Sequence, residues 1–246
     1  MLSYRSAEPA FVGRVPRALR QLESPRRRVL FRFGALNVYS YPAALYTGLV
    51  AGVYAGYALS PGPERNRFAA AILILMGPAL LGARLLYVAA HWQTYRLEPR
   101  RILRRSEGGM AMYGGLLLAL PLSPPLLRVL GIGFGEFWDA ATATMILGTV
   151  FTRIGCFLNG CCSGRRVPTP LLESIAAALL FLSFVALWPH FPFAGAALLY
   201  GLGCYGAIRF TLEFTRERTG RISFAQVVSA SAVLVCAPLY LTLWAA

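Results

Sequence analysis

Charge is scarce in this sequence, and lysine is missing from it altogether. Of the 246 residues only 14% are charged and 57% are hydrophobic. A soluble domain carries about 25% charged residues. Together with a mean hydropathy of +0.57, this excludes both an ordinary soluble enzyme and a disordered chain. With no lysine, all 24 basic residues are arginine; they face 10 acidic residues, of which Asp139 is the only aspartate, and the formal net charge is +14. Those arginines sit in short loops between apolar runs, a placement that speaks for membrane topology and against nucleic acid as a partner. No apolar stretch of the ~7–15 residues that a signal peptide needs follows the basic N-terminal segment. Nothing in the chain has the composition of a soluble domain, and no internal repeat stands out. The five cysteines, three of them within 156–162, do not form the even framework of a small secreted scaffold.

What is present is a series of apolar runs. A helix needs about 20 residues to cross the hydrocarbon core of a bilayer, and seven runs approach that length: Ser40–Leu59, Phe68–Trp92, Gly109–Leu127, Phe137–Leu158, Leu171–Trp188, Phe193–Leu212 and Phe224–Trp244. They lack the ten-residue alternation of barrel strands, so helices are the expected form. The expected fold is an all-α polytopic membrane protein of about seven transmembrane helices around a lipid-accessible polar cavity. The connections are rich in Pro, Gly and Arg: Pro61-Gly62-Pro63, Tyr95–Glu107, Ser123-Pro124-Pro125 and Arg165-Arg166. Residues 1–38 hold eight arginines and read as a basic amphipathic arm lying on the membrane surface; residues 39–246 form the transmembrane domain.

Seven crossings put the two termini on opposite sides. The segments on the N-terminal side carry 18 arginines, and those on the other side carry 3 (Arg65, Arg67 and Arg128). The positive-inside bias therefore predicts a cytoplasmic N-terminus.

Ionisable groups inside spans are costly and usually face a partner or a cavity. Arg84, Arg153 and Arg209 lie inside spans, with Arg209 and Glu213 at i and i+4 on one helix face. Counted against Asp139 and Glu213, three arginines exceed the acids available. Structural ion pairs that pin the bundle are one outcome. A polar pocket in which planar guanidinium groups grip a phosphate is the other, and a phospholipid headgroup would suit it. Glycines bracket Tyr113 in Gly108-Gly109-Met110-Ala111-Met112-Tyr113-Gly114-Gly115, as if the backbone bent around a ligand; close helix packing would use the same residues.

In this order along the chain, the motifs resemble those of bacterial prolipoprotein diacylglyceryl transferases. Tyr41-Pro42 with Tyr46 and Gly48 is similar to the family's first-span segment. Gly82-Ala83-Arg84-Leu85-Leu86-Tyr87 resembles its Gly-Gly-Arg-x-x-Tyr, and Gly108 to Leu116 its Gly-Gly-Met-x-x-His-Gly-Gly-Leu. Arg153 to Gly164 resembles the signature Gly-Arg-x-Gly-Asn-Phe-x-Asn-x-Glu-x-x-Gly. Pro168 to Glu173 follows its His-Pro-Ser-Gln-Leu-Tyr-Glu, and Tyr205 to Arg216 with Ile222 to Gln226 its penultimate span and the loop beyond. The resemblance implies an enzyme of the bacterial inner membrane that moves the diacylglyceryl group of phosphatidylglycerol onto the thiol of a prolipoprotein, without a cofactor or a metal. It implies Arg153 and Arg209, with Tyr113 beside them, as catalytic residues, and Tyr41, Arg84, Asn159, Gly164, Glu213, Gly114 and Gly115 as substrate-binding residues. The family's orientation places its pocket loops on the outer side, opposite to the arginine count.

The departures are specific. Tyr113 stands where the family has His, and an unperturbed tyrosine near pKa ~10 is a poor base. Cys156 and Cys161 replace the signature Asn and Glu, Cys162 follows, and Thr152 replaces the Gly before Arg153. The segment usually found between the signature and the fifth span is nearly absent. The cysteines leave several readings open: filler in tight packing, a disulfide, thiols activated by Arg153, Arg165 and Arg166, or metal thiolates. The only two histidines, His91 and His190, lie outside these motifs, and a closed zinc site wants four ligands. Two further functions compete with the lipoprotein enzyme: a divergent paralogue acting on another, cytoplasmic or small, acceptor, and a non-catalytic lipid-binding membrane protein.

Overall fold

The computed structural model describes residues 29–33, 36–62, 65–90, 92–96, 112–160, 168–214 and 223–245. Seven long helices occur among them: α1 (Ser40–Leu59), α2 (Arg65–Ala90), α3 (Met112–Leu130), α4 (Phe134–Asn159), α5 (Thr169–Leu187), α6 (Ala196–Glu213) and α7 (Phe224–Ala245). A two-stranded antiparallel hairpin, β1 (Val29–Phe33) and β2 (Leu36–Tyr39), leads into α1 with Phe31 opposite Val38. The described part of the N-terminal arm is therefore extended, and the chain is otherwise helical among the described residues.

By length and composition four helical stretches can cross a membrane: Arg65–Ala89, Phe134–Asn159, Thr169–His190 and Ala225–Ala245; a shorter apolar helix covers Gly114–Leu130. In α6, Arg209 and Glu213 lower the hydropathy, and α1 carries Tyr41, Tyr46, Tyr54 and Tyr57 beside three glycines. Large apolar side chains such as Leu73, Leu179, Leu182 and Leu234 stand exposed on the outer faces. Such a surface suits acyl chains rather than water.

Hydrophobic association gives helices little reason to meet in lipid, so close approach through small residues decides the packing. Gly48, Gly52 and Gly56 form a stripe at i, i+4 and i+8 on α1 that lies flat on α4. A Cβ at Gly52 would come within 2.6 Å of the Thr144 carbonyl oxygen, and the Thr144 hydroxyl donates to the Gly52 carbonyl at 2.9 Å. In the same way α2 and α3 cross at Gly82 and Gly114, and α6 meets α7 where Gly206 faces Ser229. The central helix is α4, which packs against α1, α5 and α6.

Ser123-Pro124-Pro125, expected as a connection between spans, lies inside α3. Pro124 removes the N–H that would reach the Leu120 carbonyl. The Ser123 hydroxyl donates to that carbonyl at 2.8 Å instead, and it accepts from Trp138 Nε1 at 2.9 Å. The helix continues because its orphaned group is satisfied locally. It stops at Gly131 (φ 67°), where the Gly131 N–H bonds the Arg128 carbonyl and the Ile132 N–H bonds the Leu127 carbonyl.

Asp139 is not part of an arginine network. Its carboxylate accepts the backbone N–H groups of Gly195 and Leu198, both at 2.7 Å. A side chain of α4 thereby satisfies the orphan donors at the start of α6 and meets the positive end of that helix.

Candidate functional site

Residues far apart in sequence meet at one end of the bundle. Helix α1 runs antiparallel to α4, with Gly48 against Gly148 and Gly155 against Ala44, while α4 and α6 run parallel, with Asp139 beside Leu198. The end of α4, the start of α5, the end of α6 and the start of α7 therefore share one level with the start of α1. Tyr205, Arg209 and Glu213 follow one another every four residues and line one face of α6.

Glu173 is the hub. It is fully buried, and its Oε1 lies 3.0 Å from Arg153 Nη2 while its Oε2 lies 3.5 Å from Arg209 Nη1. The Tyr205 hydroxyl donates to Oε1 at 2.8 Å. Arg209 Nη2 pairs with Glu213 Oε2 at 3.1 Å, and the Ser223 hydroxyl donates to Glu213 Oε1 at 3.1 Å. Two guanidinium groups and two carboxylates make the cluster electroneutral. The expected shortage of acids does not apply to Arg153 and Arg209, because Glu173, inside the fifth apolar run, supplies the second carboxylate beside Glu213. The 3.5 Å contact is the longest of these, and neither of its atoms, Arg209 Nη1 or Glu173 Oε2, makes a hydrogen bond among the described residues.

The other anticipated residues distribute unevenly. The guanidinium of Arg84 lies over the rings of Tyr95 and Tyr87, with its central carbon 5.5 and 6.0 Å from their centroids, as cations commonly do over aromatic faces. The backbone of Tyr41 packs on Gly155, two residues beyond Arg153: its Cα would sit 3.4 Å from a Cβ there. Gly114 and Gly115 do not bend the chain. They lie in the continuous helix α3, Gly114 pressed on Gly82 and Gly115 on Ala79. Asn159 is the last residue of α4, just before Gly160 (φ 71°), which ends the helix in the left-handed conformation. Cys156 is buried one turn after Arg153. Cys161, Cys162 and Gly164 lie outside the described residues, as does the side chain of Tyr113.

Sequence reasoning missed Glu173 and Tyr205 as members of the site. Both stood in the quoted motifs, and a glutamate inside an apolar run was the signal that went unused.

Beside the cluster lies a cavity of about 550 Å³ between α1, α2, α3, α4, α6 and α7. Leu49, Ile72, Met76, Met145 and Val235 make its wall mainly apolar, with Thr142, Thr144, Thr149, Ser231 and Tyr205 as polar exceptions. Gly115 also lines it, whereas Arg153 and Arg209 do not. This differs from the polar, arginine-lined cavity expected from sequence. The arginines are neutralised by carboxylates at helix crossings, and only Tyr205 belongs to both cluster and cavity.

These features define a multi-pass, mainly helical membrane protein with a buried ion cluster next to an apolar chamber. More particularly, the chain belongs to the prolipoprotein diacylglyceryl transferase family, whose model it matches over residues 28–243. Similar proteins include the phosphatidylglycerol–prolipoprotein diacylglyceryl transferases of Bacillus cereus strain B4264 (28% identity over 201 residues, 76% of this chain and 74% of the relative) and of Bacillus velezensis (29% over 154 residues, 62% and 57%). The Bacillus anthracis protein of the same name is 28% identical over 201 residues, again 76% and 74%.

Proposed function

We propose that this protein is an enzyme of the bacterial inner membrane that transfers the diacylglyceryl group of phosphatidylglycerol to a thiol, that of a prolipoprotein cysteine. Arg153 and Arg209 converging on one buried carboxylate beside an apolar chamber is the observation that carries this reading. All seven helices cross the bilayer. The headgroup phosphate meets the arginine pair, and an acyl chain occupies the cavity that Tyr205 joins to the cluster. The acceptor sulfur attacks the glyceryl carbon that bears the phosphate, a carbon–sulfur bond forms as the carbon–oxygen bond breaks, and glycerol phosphate departs with the bonding electron pair and takes up the thiol proton. Charge grows on the departing phosphate, and guanidinium donors held ready for it lower the barrier. Tyr113 serves as a hydrogen-bond donor in this scheme rather than as a base. Asn159, Gly164 and Glu213 complete the pocket, while Arg84 and Tyr41 flank it.

The test is purified protein in phosphatidylglycerol vesicles with a synthetic peptide bearing a lipoprotein-type cysteine. A diacylglyceryl mass gain on the peptide, lost when its thiol is blocked, is expected. Absence of that gain with active control enzyme would overturn the proposal.

A second reading rests on Tyr113 standing in place of His and on Cys156 and Cys161 in place of the signature Asn and Glu. It is a paralogue with the same lipid donor and a different, cytoplasmic acceptor. Transfer to small thiols but not to the peptide would favour it.

A further inference from the structure

The structure assigns to Glu173 the role of a positioning residue: it holds the two arginines at a set spacing and keeps Arg209 Nη1 in reserve for an arriving anion, while Tyr205 holds Glu173. The inference rests on the proposed phosphate site and says how that site is built when no substrate is present.

Three observations carry it. Glu173 is fully buried and touches both guanidinium groups, so it sets where each of them rests before an anion arrives. Its two oxygens are used unequally. Oε1 takes both the 3.0 Å pair to Arg153 and the 2.8 Å hydrogen bond from Tyr205, whereas Oε2 has only the 3.5 Å contact to Arg209. Finally, Arg209 Nη1 is buried without a hydrogen-bond partner among the described residues. A desolvated guanidinium N–H left in that state is costly and is a ready donor to a phosphate oxygen. The cluster is neutral before the lipid arrives, so a phosphodiester brings one negative charge too many. The weakest existing contact, Arg209 to Glu173 Oε2, is the one that yields. Arg153 stays fixed on Oε1, and Arg209 swings between carboxylate and phosphate while its other nitrogen remains on Glu213.

Position and charge can be separated with three variants of the full-length protein. The readouts are transfer kinetics from phosphatidylglycerol vesicles and thermal-shift titration with glycerol phosphate, which needs no turnover. In Glu173→Gln the competing charge is gone. Glycerol phosphate should bind about tenfold tighter, while kcat should fall roughly 10²-fold because the arginines lose their spacing. Glu173→Asp restores the charge on a shorter stem, so anion affinity should return to that of the unaltered protein while kcat stays low. Tyr205→Phe keeps every charge and serves if Glu173→Gln does not fold; kcat should fall with glycerol phosphate affinity unchanged. A carboxylate that merely stabilises the fold would lower the melting temperature and leave anion affinity per folded molecule unaltered, and that result, or unchanged kcat in Tyr205→Phe, overturns the inference. If the unaltered protein transfers nothing yet Glu173→Gln still tightens glycerol phosphate binding, the functional reading falls and the positioning role of Glu173 stands.

Discussion

Arg153 and Arg209 approach the same carboxylate from different helices, yet their commitments differ. Arg153 is held at 3.0 Å by Glu173, while Arg209 divides its two nitrogens between Glu173 and Glu213. Replacing either by alanine leaves a buried carboxylate short of its partner and, in the proposed reaction, removes a donor to the developing phosphate charge. Transfer from phosphatidylglycerol should fall by at least about 10²–10³-fold, the scale of losing one such donor. Lysine at either position should restore little, because a point charge cannot reproduce the planar fork. Full activity in Arg153→Lys would mean that the residue acts through charge alone. Glu173 shows why a list of residue types was insufficient here. A lone glutamate in an apolar run is conspicuous, but its two arginine partners lie 20 residues before and 36 residues after it in sequence. Only the helix packing reveals that they converge.

At the scale of the element, the glycine stripe of α1 and the carboxylate of Asp139 set how the arginine-bearing helices lie. Gly52→Leu would drive a side chain into the Thr144 carbonyl. The cost should be at least the ~1–3 kcal/mol typical of overpacking, seen as a lowered melting temperature in detergent, whereas leucine at the outward-facing Val50 of the same helix should be neutral. An unchanged melt for Gly52→Leu would show that α1 does not pack on α4 as described. Asp139→Ala would orphan the Gly195 and Leu198 N–H groups at the start of α6. A loss of about 1–3 kcal/mol is expected, and asparagine should recover part of it. The glycines were visible in the sequence as packing candidates, but which helix each would meet was not, because a small-residue stripe is complementary to any close-packing partner. The prolines of α3 misled for a related reason: their rescue through Ser123 and Trp138 spans two helices.

Across the whole molecule, Arg153, Glu173, Arg209 and Glu213 lie at the level where α1 begins; if all seven helices cross the membrane, as proposed, the sequence segments assigned to that side hold 18 of the 24 arginines. If those arginines follow the positive-inside bias, the cluster faces the cytoplasm and its surroundings attract anionic lipid by about 1 kcal/mol per arginine near the surface. Cys161 and Cys162, in the connection on that side, should then resist a membrane-impermeant maleimide in intact spheroplasts and react after permeabilisation. The comparison should be made in a variant lacking Cys156, Cys204 and Cys236. Labelling of intact cells would place the cluster on the outer face, where a translocated prolipoprotein arrives. Protection would favour the cytoplasmic acceptor.

Hydropathy and motif order were enough to specify a helical membrane protein, roughly where its helices run, and which family it joins. Both are local properties, and lipid forces each apolar run to satisfy its own backbone. Ser40–Leu59 coincides with α1 residue for residue, and the other runs differ from their helices by three residues or fewer at either end. The packing of the helices settles that Asp139 caps α6 rather than pairing with arginine, that Gly114 is a helix crossing rather than a bend, and that Arg153 and Arg209 share Glu173. Each of these depends on contacts between different helices. A buried charge is stabilised by whichever group lies opposite it in space, and distance along the chain carries no record of that.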